Sequence, residues 1–218
     1  LGWRLAAIAV VALAFALRVY RLDYQSLWFD EGFSAAMALG PFGEIFAHAA
    51  DDPHPPGFHV LLWLWKYPAG GGEFALRMFS LLAGVGSVAL IFRLGVRLGG
   101  PVLGLSAALL AAINPFLVHY SQELRVYSWL LALSLLSAVL LLRALDGRLQ
   151  WRWYALAAGV FVNMHYFACF VLATHAVWVL LNDRRRSTIV AWVVAAVGGC
   201  LMFAPWLLYA APAMTAYR

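Results

Sequence analysis

The chain has 218 residues, of which 65% are hydrophobic and only 11% are charged, and its mean hydropathy is +0.83. This composition is typical of a polytopic membrane protein and argues against a water-soluble core. The net charge of +5 comes almost wholly from arginine, since Lys66 is the only lysine. In a membrane protein such an excess of arginine is typical of loops on the cytoplasmic side, where it sets the orientation of the protein. We therefore expect the lipid bilayer, and no nucleic acid, as a partner.

Seven apolar stretches are predicted to cross the membrane as helices, because a span needs roughly 20 apolar residues. They are residues 3–20, 74–94, 101–118, 124–143, 151–164, 166–182 and 188–208. The sequence thus predicts an all-α integral membrane protein, with residues 1–218 forming one transmembrane module. The chain begins with Leu and stops soon after an apolar run, so we expect it to be a fragment of a longer protein.

Residues 21–73 form the first outer loop in this prediction, and they hold most of the acidic residues. The segments 30–39 and 42–49 are predicted to be short amphipathic helices at the membrane interface, separated by Gly40-Pro41. Segment 57–67 is apolar, but it has only about half the length needed to cross a ~30 Å core. Whether this segment crosses decides the topology of everything after it.

The distribution of charge resolves this question. If 57–67 does not cross and the N-terminus is cytoplasmic, eight arginines fall inside, namely Arg93, Arg97, Arg143, Arg148, Arg152, Arg184, Arg185 and Arg186. Eight of the ten acidic residues then fall outside. If the segment did cross, the arginines would be exported, and Glu123 would lie on the opposite side from Asp30. The positive-inside rule therefore predicts an interfacial or re-entrant helix at 57–67.

Under this topology the outer face collects most of the polar chemistry. Asp30 and Glu31 open a short helix, where carboxylates are also favoured simply as N-terminal caps. Three prolines hold His54 and the neighbouring acids in an extended backbone. His54 and His165 lie near carboxylates and, with Asp52, are the residues that could hold a divalent metal. No His-Glu-x-x-His spacing is present, so metal binding stays open and no cofactor is assigned. The sequence has no glycine-rich phosphate loop, which disfavours a nucleotide-sugar donor.

Five motifs occur in an order that carries a family resemblance. They are Ser26-Leu27-Trp28-Phe29-Asp30-Glu31, Asp52-Pro53-His54-Pro55-Pro56, Glu73-Phe74-Ala75-Leu76-Arg77, Tyr120-Ser121-Gln122-Glu123-Leu124-Arg125-Val126-Tyr127 and Met164-His165-Tyr166-Phe167. Their series resembles the membrane glycosyltransferases of the C superfamily. Within these, it is most similar to the branch that contains protein O-mannosyltransferases and the lipid A aminoarabinose transferase.

The resemblance implies an enzyme that takes a sugar from a polyprenyl-monophosphate donor at the outer or periplasmic face of a cell membrane, with inversion. It assigns the catalytic base to Asp30 and the second acidic position to Glu123, and it places His54 beside the site. The acceptor would be a lipid, a glycan or a protein. Family members are longer than this chain, and their additional portion usually helps to determine the acceptor.

The chemistry of such a transfer agrees with the residues. An incoming hydroxyl needs a base, and a departing phosphate needs cations or hydrogen-bond donors. Asp30 can supply the base, with Glu31, Asp52 and Glu123 as alternatives. The predicted substrate-binding residues are His54, Arg77, Gln122, Arg125, Tyr127, His165 and Tyr166.

Two other classes of protein compete with the enzyme interpretation. A transporter would place its carboxylates near the middle of the bilayer, often in broken helices, whereas the acids here cluster at one interface. A non-catalytic subunit of a larger assembly would keep the same fold and the same residues. Only a measurement of transfer separates that alternative from an enzyme.

Overall fold

The computed structural model describes residues 2–51, 54–147 and 150–216, and this described part of the chain is helical, with no strand. The all-α prediction is therefore confirmed. The helices are α1 (Gly2–Val19), α2 (Phe29–Leu39), α3 (Phe42–Asp51), α4 (Gly57–Ala69), α5 (Glu73–Ile113), α6 (Pro115–Gln122), α7 (Tyr127–Leu145), α8 (Trp151–Met164), α9 (Ala168–Asn182), α10 (Arg186–Leu201) and α11 (Ala204–Ala216).

Three of the described helices, α1, α5 and α7, are long and apolar enough to cross a membrane. A fourth span results if α10 and α11, which are bent by 41° relative to each other, count as one. The predicted span 188–208 is thus two helices rather than one. The predicted span 124–143 begins at Tyr127, because residues before it form a tight turn in which the Arg125 N–H donates to the Glu123 carbonyl.

Helix α5 contains the predicted span 74–94 and most of the predicted span 101–118, whose last residues lie in α6. Its 41 residues are interrupted at Gly99 and Gly100, and Gly100 has φ 83°, a value that favours glycine. The two arms fold back on each other, since a Cβ added at Gly95 would lie 2.6 Å from the Cα of Gly104. The second arm ends at Asn114, whose side chain caps α6 by accepting from the Leu117 N–H. Pro115 then occupies the first position of α6.

The chain divides into two compact units, Leu1–Pro41 with His59–Leu135, and Phe42–Phe58 with Leu136–Arg218. In the first unit, α1 packs against both arms of α5 through a cluster of small and branched residues, which are Val10, Ala14, Val88, Ala108, Ala111 and Ala112. Arg18 lies at the end of α1, next to this cluster. It is 1% exposed and donates to the carbonyls of Ala14, Ala111 and Ala112 and to the Ser121 hydroxyl. A buried guanidinium thereby satisfies carbonyl groups at the end of the second arm.

The second unit is built on the antiparallel pair α8 and α9. Tyr154 and His175 lie on either side of the 165–167 turn, and the Tyr154 hydroxyl is 3.1 Å from Nδ1 of His175. Trp192 of α10 donates to the same hydroxyl. Helix α10 approaches α8 closely, since a Cβ added at Gly199 would lie 2.6 Å from the Ala155 carbonyl oxygen. The turn lies where the sequence predicts the hairpin tip, and His175 serves helix packing.

Candidate active site

At the start of α2, two adjacent carboxylates, Asp30 and Glu31, differ in how deeply they are buried. Glu31 is 1% exposed, whereas the side chain of Asp30 is 36% exposed. Consecutive helical residues point about 100° apart, so a helix that turns Glu31 toward the protein turns Asp30 away from it. Glu31 also accepts a long hydrogen bond of 3.4 Å from the Trp28 N–H, which fixes where the helix begins.

Glu31 is held by four donors. Arg77 forms a bidentate pair with it, with Nε 2.9 Å from Oε1 and Nη2 2.7 Å from Oε2. The backbone N–H of Leu124 donates to Oε1 at 2.7 Å, and Trp28 supplies the fourth bond. Burial alone would raise the pKa of Glu31, but the bonds from Arg77 and Leu124 outweigh it and lower the pKa. The carboxylate is therefore ionised, and its lone pairs are occupied.

Arg77 uses its remaining donors within the protein. Its Nη1 donates to the carbonyls of Leu22 and Gln25, at 3.0 and 2.7 Å, and its Nη2 donates to the carbonyl of Ser26 at 3.4 Å. With the two bonds to Glu31, all five N–H groups of the guanidinium have acceptors. Since the residue is 4% exposed, this arrangement favours a structural role for Arg77 over the contact with a donor phosphate that the sequence predicts.

Asp30 faces Arg125. The Arg125 Nη2 lies 3.3 Å from Asp30 Oδ2, and its Nη1 lies 3.5 Å from the Asp30 carbonyl. Both side chains are partly exposed. The guanidinium carbon of Arg125 is 5.8 Å from the centre of the Tyr127 ring and 6.0 Å from that of Trp28. The Ser80 hydroxyl donates to the Arg125 carbonyl. The pair is thus positioned by backbone contacts, while its charged ends stay accessible.

Two more predicted residues lie at the end of α6. Glu123 is 17% exposed, and its Oε1 is 3.3 Å from Nε2 of His119. Burial raises the pKa of Glu123, and the charge of Glu31 adds to that rise, against the opposing influence of His119. The Gln122 amide donates to the carbonyls of Arg18 and Tyr20. The sequence predicts Gln122 as a substrate-binding residue. In the structure its amide instead binds the end of α1.

A cavity of about 820 Å³ lies beside these residues in the first unit. Its walls come from the end of α1, the segment before α2 and one side of α6, and they include both Glu31 and Glu123. The residues that line it are Leu17, Tyr20, Arg21, Leu22, Tyr24, Gln25, Ser26, Trp28, Glu31, Arg77, Val118, His119, Gln122 and Glu123. Arg21 also lines this cavity. It was not among the site residues predicted from the sequence, although its position directly after the first span was visible.

The second unit brings together His54, His165 and Tyr166. The rings of His54 and His165 are 5.4 Å apart, and Nδ1 of His165 accepts from the Phe167 N–H. Burial, and secondarily the proximity of His54, lower the pKa of His165. Asp52, the third suggested metal ligand, lies outside the described residues. Within the described residues no group of three His, Cys, Asp or Glu side chains could hold a metal ion.

We expect the Glu31–Arg77 pair to be essential for the stability of the first unit. Glu31→Gln leaves a buried guanidinium without its counter-charge, which typically costs about 3–5 kcal/mol. The melting temperature of the solubilised protein should fall sharply for this variant. It should change little for Glu44→Gln, which removes an exposed glutamate of α3.

A double-mutant cycle with Arg77→Gln checks the coupling, since the two losses should be far from additive. The pH dependence gives a second measurement. The folded-state pKa of Glu31 lies below the ordinary value of 4.5, so the pair contributes its stability above that value and loses it as the pH falls through the lowered pKa. Additive losses, or equal acid sensitivity of wild type and Glu31→Gln, would contradict the assignment.

Comparison with known proteins places the chain in a family. Residues 53–209 match the family model described as dolichyl-phosphate-mannose-protein mannosyltransferase. The protein named "Putative mannosyltransferase YycA" of Bacillus subtilis strain 168 is 29% identical over 197 residues, which cover 82% of this chain and 28% of that protein. The chain thus spans less than a third of that relative's length, and no solved structure matches it. Because the family match covers more than half of the sequence, the chain belongs to the dolichyl-phosphate-mannose-protein mannosyltransferase family, within the membrane glycosyltransferases of the C superfamily.

Proposed function

We propose that the chain is the catalytic membrane module of a glycosyltransferase that moves a sugar from a polyprenyl-monophosphate donor to an acceptor hydroxyl. The family description names a dolichyl-phosphate-mannose donor, and the relative's name describes a mannosyltransferase, so we propose mannose or a similar hexose as the sugar. The acceptor hydroxyl belongs to a lipid, a glycan or a protein. The residues around Asp30 would supply the base and the environment of the donor.

The reaction is a displacement at the anomeric carbon of the sugar. The acceptor oxygen forms a bond to C1 while the bond between C1 and the phosphate oxygen breaks, and the electron pair of that bond leaves with the phosphate. The proton of the acceptor hydroxyl passes to a carboxylate base. The phosphodiester carries one negative charge and becomes a phosphate monoester with nearly two, so cations near the leaving group favour the transition state.

One observation chiefly supports Asp30 as the base. Of the two adjacent acids, Glu31 has its lone pairs occupied by Arg77, Leu124 and Trp28, whereas Asp30 is accessible. Glu31 is therefore unavailable both as a base and as a nucleophile. A single displacement with Asp30 as general base inverts the configuration at C1, as proposed from the family resemblance. Glu123 remains the second acidic position beside the site.

Arg125 has two roles open to it under this proposal. Its contact with Asp30 could orient the carboxylate, and its partly exposed guanidinium could bind the donor phosphate. The two roles differ in the kinetic parameter that they control. An orienting residue acts on kcat, whereas a residue that binds the phosphate in the ground state also acts on the KM of the donor. His54, His165 and Tyr166 remain predicted contacts of the donor.

We further propose seven spans, with α2 to α4 together at the outer face of a cell membrane. The contact of Glu31 with Arg77 joins the start of α2 to the start of α5, so the chain between them returns to the side it left. The Nε1–H of Trp63 donates to the carbonyl of Gly40, and that of Trp65 donates to the carbonyl of Ala75. Helix α4 thus contacts the end of α2 and the start of α5, which supports a helix lying at the interface.

Cysteine labelling tests this topology. We expect single cysteines at Gly43 and Gly72 to react with an impermeant probe from the same, outer side. A Cβ added at either position would meet nothing within 4 Å, so the substitutions should be tolerated. The background protein needs Cys169 and Cys200 replaced, since both are free and exposed. Arg184→Cys is the control for the cytoplasmic side, and a probe that reaches position 72 only from that side would contradict the topology.

Asp30→Asn tests the base. The amide keeps the size of the side chain and any capping of α2 but cannot take a proton. We expect transfer by the full-length protein to fall by about 10²–10⁴-fold, the usual contribution of a general base, while expression and donor binding change little. Near-normal transfer would exclude Asp30 and direct the search to Asp52 or Glu123. A wild-type protein without transfer from any polyprenyl-phosphate sugar would favour the non-catalytic subunit.

Arg125→Ala should reduce kcat/KM by roughly tenfold or more, because a charge-assisted contact is typically worth about 1.5–3 kcal/mol. Measuring kcat and the KM for the donor separately assigns the role. A fall in kcat alone identifies an orienting contact with Asp30, and a rise in KM identifies a phosphate ligand. Arg152→Ala is a suitable control for loss of an exposed arginine. Unchanged kinetics in a correctly inserted protein would remove Arg125 from the site.

A further inference from the structure

The charged residues that line the 820 Å³ cavity are two arginines, Arg21 and Arg77, and two glutamates, Glu31 and Glu123. Glu31 is paired with Arg77, and Oε1 of Glu123 lies 3.3 Å from Nε2 of His119. Arg21 is exposed and lines the same cavity, and within the described part of the chain it makes no ion pair. A cavity that contains a cation without a carboxylate partner is suited to an anionic ligand.

Arg21 is also held in place by its surroundings. Its φ is +57°, and among the described residues it is the one non-glycine with a positive φ. Such a conformation is costly for a residue with a side chain and persists where neighbouring contacts enforce it. The Gln122 amide supplies such contacts by binding the carbonyls of Arg18 and Tyr20. The guanidinium carbon then lies 3.6 Å from the centre of the Tyr24 ring, so the side chain is stacked rather than free.

We infer that Arg21 binds the phosphoryl group of the polyprenyl-phosphate donor in this cavity. The inference rests on the proposed function and adds to it the residue that binds the donor phosphate. A planar guanidinium can give two parallel hydrogen bonds to phosphate oxygens, and stacking on Tyr24 leaves its edge available for them. Trp28 and Glu31, the residues two before and one after Asp30, line the cavity, so the segment that carries the proposed base forms part of its wall.

This placement suits the charge that develops during transfer. When the bond between C1 and the phosphate oxygen breaks, the phosphate gains a negative charge, and a fixed cation stabilises it without reorganisation. The carboxylate of neighbouring Glu123 is directed at His119, with Oε1 3.3 Å from Nε2 of that histidine. Arg77 cannot take this role, since its five N–H groups already have acceptors.

Binding of polyprenyl monophosphate without a sugar tests the inference independently of transfer. The full-length protein, in nanodiscs of phosphatidylcholine, is titrated with this lipid and the bound fraction is measured by native mass spectrometry. We expect Arg21→Ala to weaken binding about tenfold or more, the usual effect of losing one charge-assisted contact, and Arg21→Lys to weaken it less. Arg4→Ala removes an exposed arginine near the opposite end of α1 and should leave binding unchanged.

Arg21→Gly separates a loss of binding from a loss of folding. Glycine adopts the positive φ without strain, so this variant should keep or increase the melting temperature while binding as weakly as Arg21→Ala. Wild-type affinity in either variant would overturn the inference, and so would an equal loss in Arg4→Ala. Competition identifies the ligand. If inorganic phosphate or phosphatidylglycerol displaces the polyprenyl lipid at equal concentration, the cavity is a general anion site and the inference fails.

The inference and the proposed function can fail separately. If Arg21→Ala binds the lipid like wild type while Asp30→Asn abolishes transfer, the enzyme interpretation holds and the assignment of Arg21 is wrong. If binding depends on Arg21 but the wild-type protein transfers no sugar, the phosphate site holds and the proposed function is wrong.

Discussion

The ion pair between Glu31 and Arg77 organises the outer end of the first unit. A buried ion pair is stable only when hydrogen bonds compensate both charges for the loss of water. Here four donors surround the carboxylate and five acceptors surround the guanidinium. Because several of these partners are backbone groups, the pair connects α2, α5, the segment before α2 and the turn at Leu124. Asp30 follows directly from this arrangement, since it precedes Glu31 at the start of α2.

A consequence of this pair is that two adjacent carboxylates have different roles. Glu31 is fully hydrogen-bonded within the protein, whereas the preceding residue, Asp30, remains accessible beside Arg125. The same geometry bears on topology, since a contact between the starts of α2 and α5 requires the intervening chain to return to its original side. We therefore expect loss of this pair to disturb both the position of the proposed base and the loop between α2 and α5.

The sequence predicts the parts of this protein that depend on local pattern. Turn-forming residues place the break at Gly40-Pro41 and the turn near His165 at the observed positions, whereas the predicted spans 101–118 and 188–208 are each divided between two helices. The partners of individual arginines are not predictable in this way. Several of these partners are backbone carbonyls, which every residue type carries. Arg77 and Gln122 were therefore expected at a substrate, whereas the structure shows them holding carbonyl groups. Their contacts depend on the tertiary fold.

Counting cations along the sequence consequently overestimates how many can meet an anionic ligand. Arg18 and Arg77 satisfy backbone carbonyls that would otherwise be buried without a hydrogen-bond partner. Arg125 is engaged with Asp30. Arg21 lines the cavity with its guanidinium stacked on the Tyr24 ring, and it makes no ion pair within the described part of the chain. A phosphate ligand is thus better sought among arginines with unused donors than among those beside a motif, and this criterion selects Arg21 over Arg77.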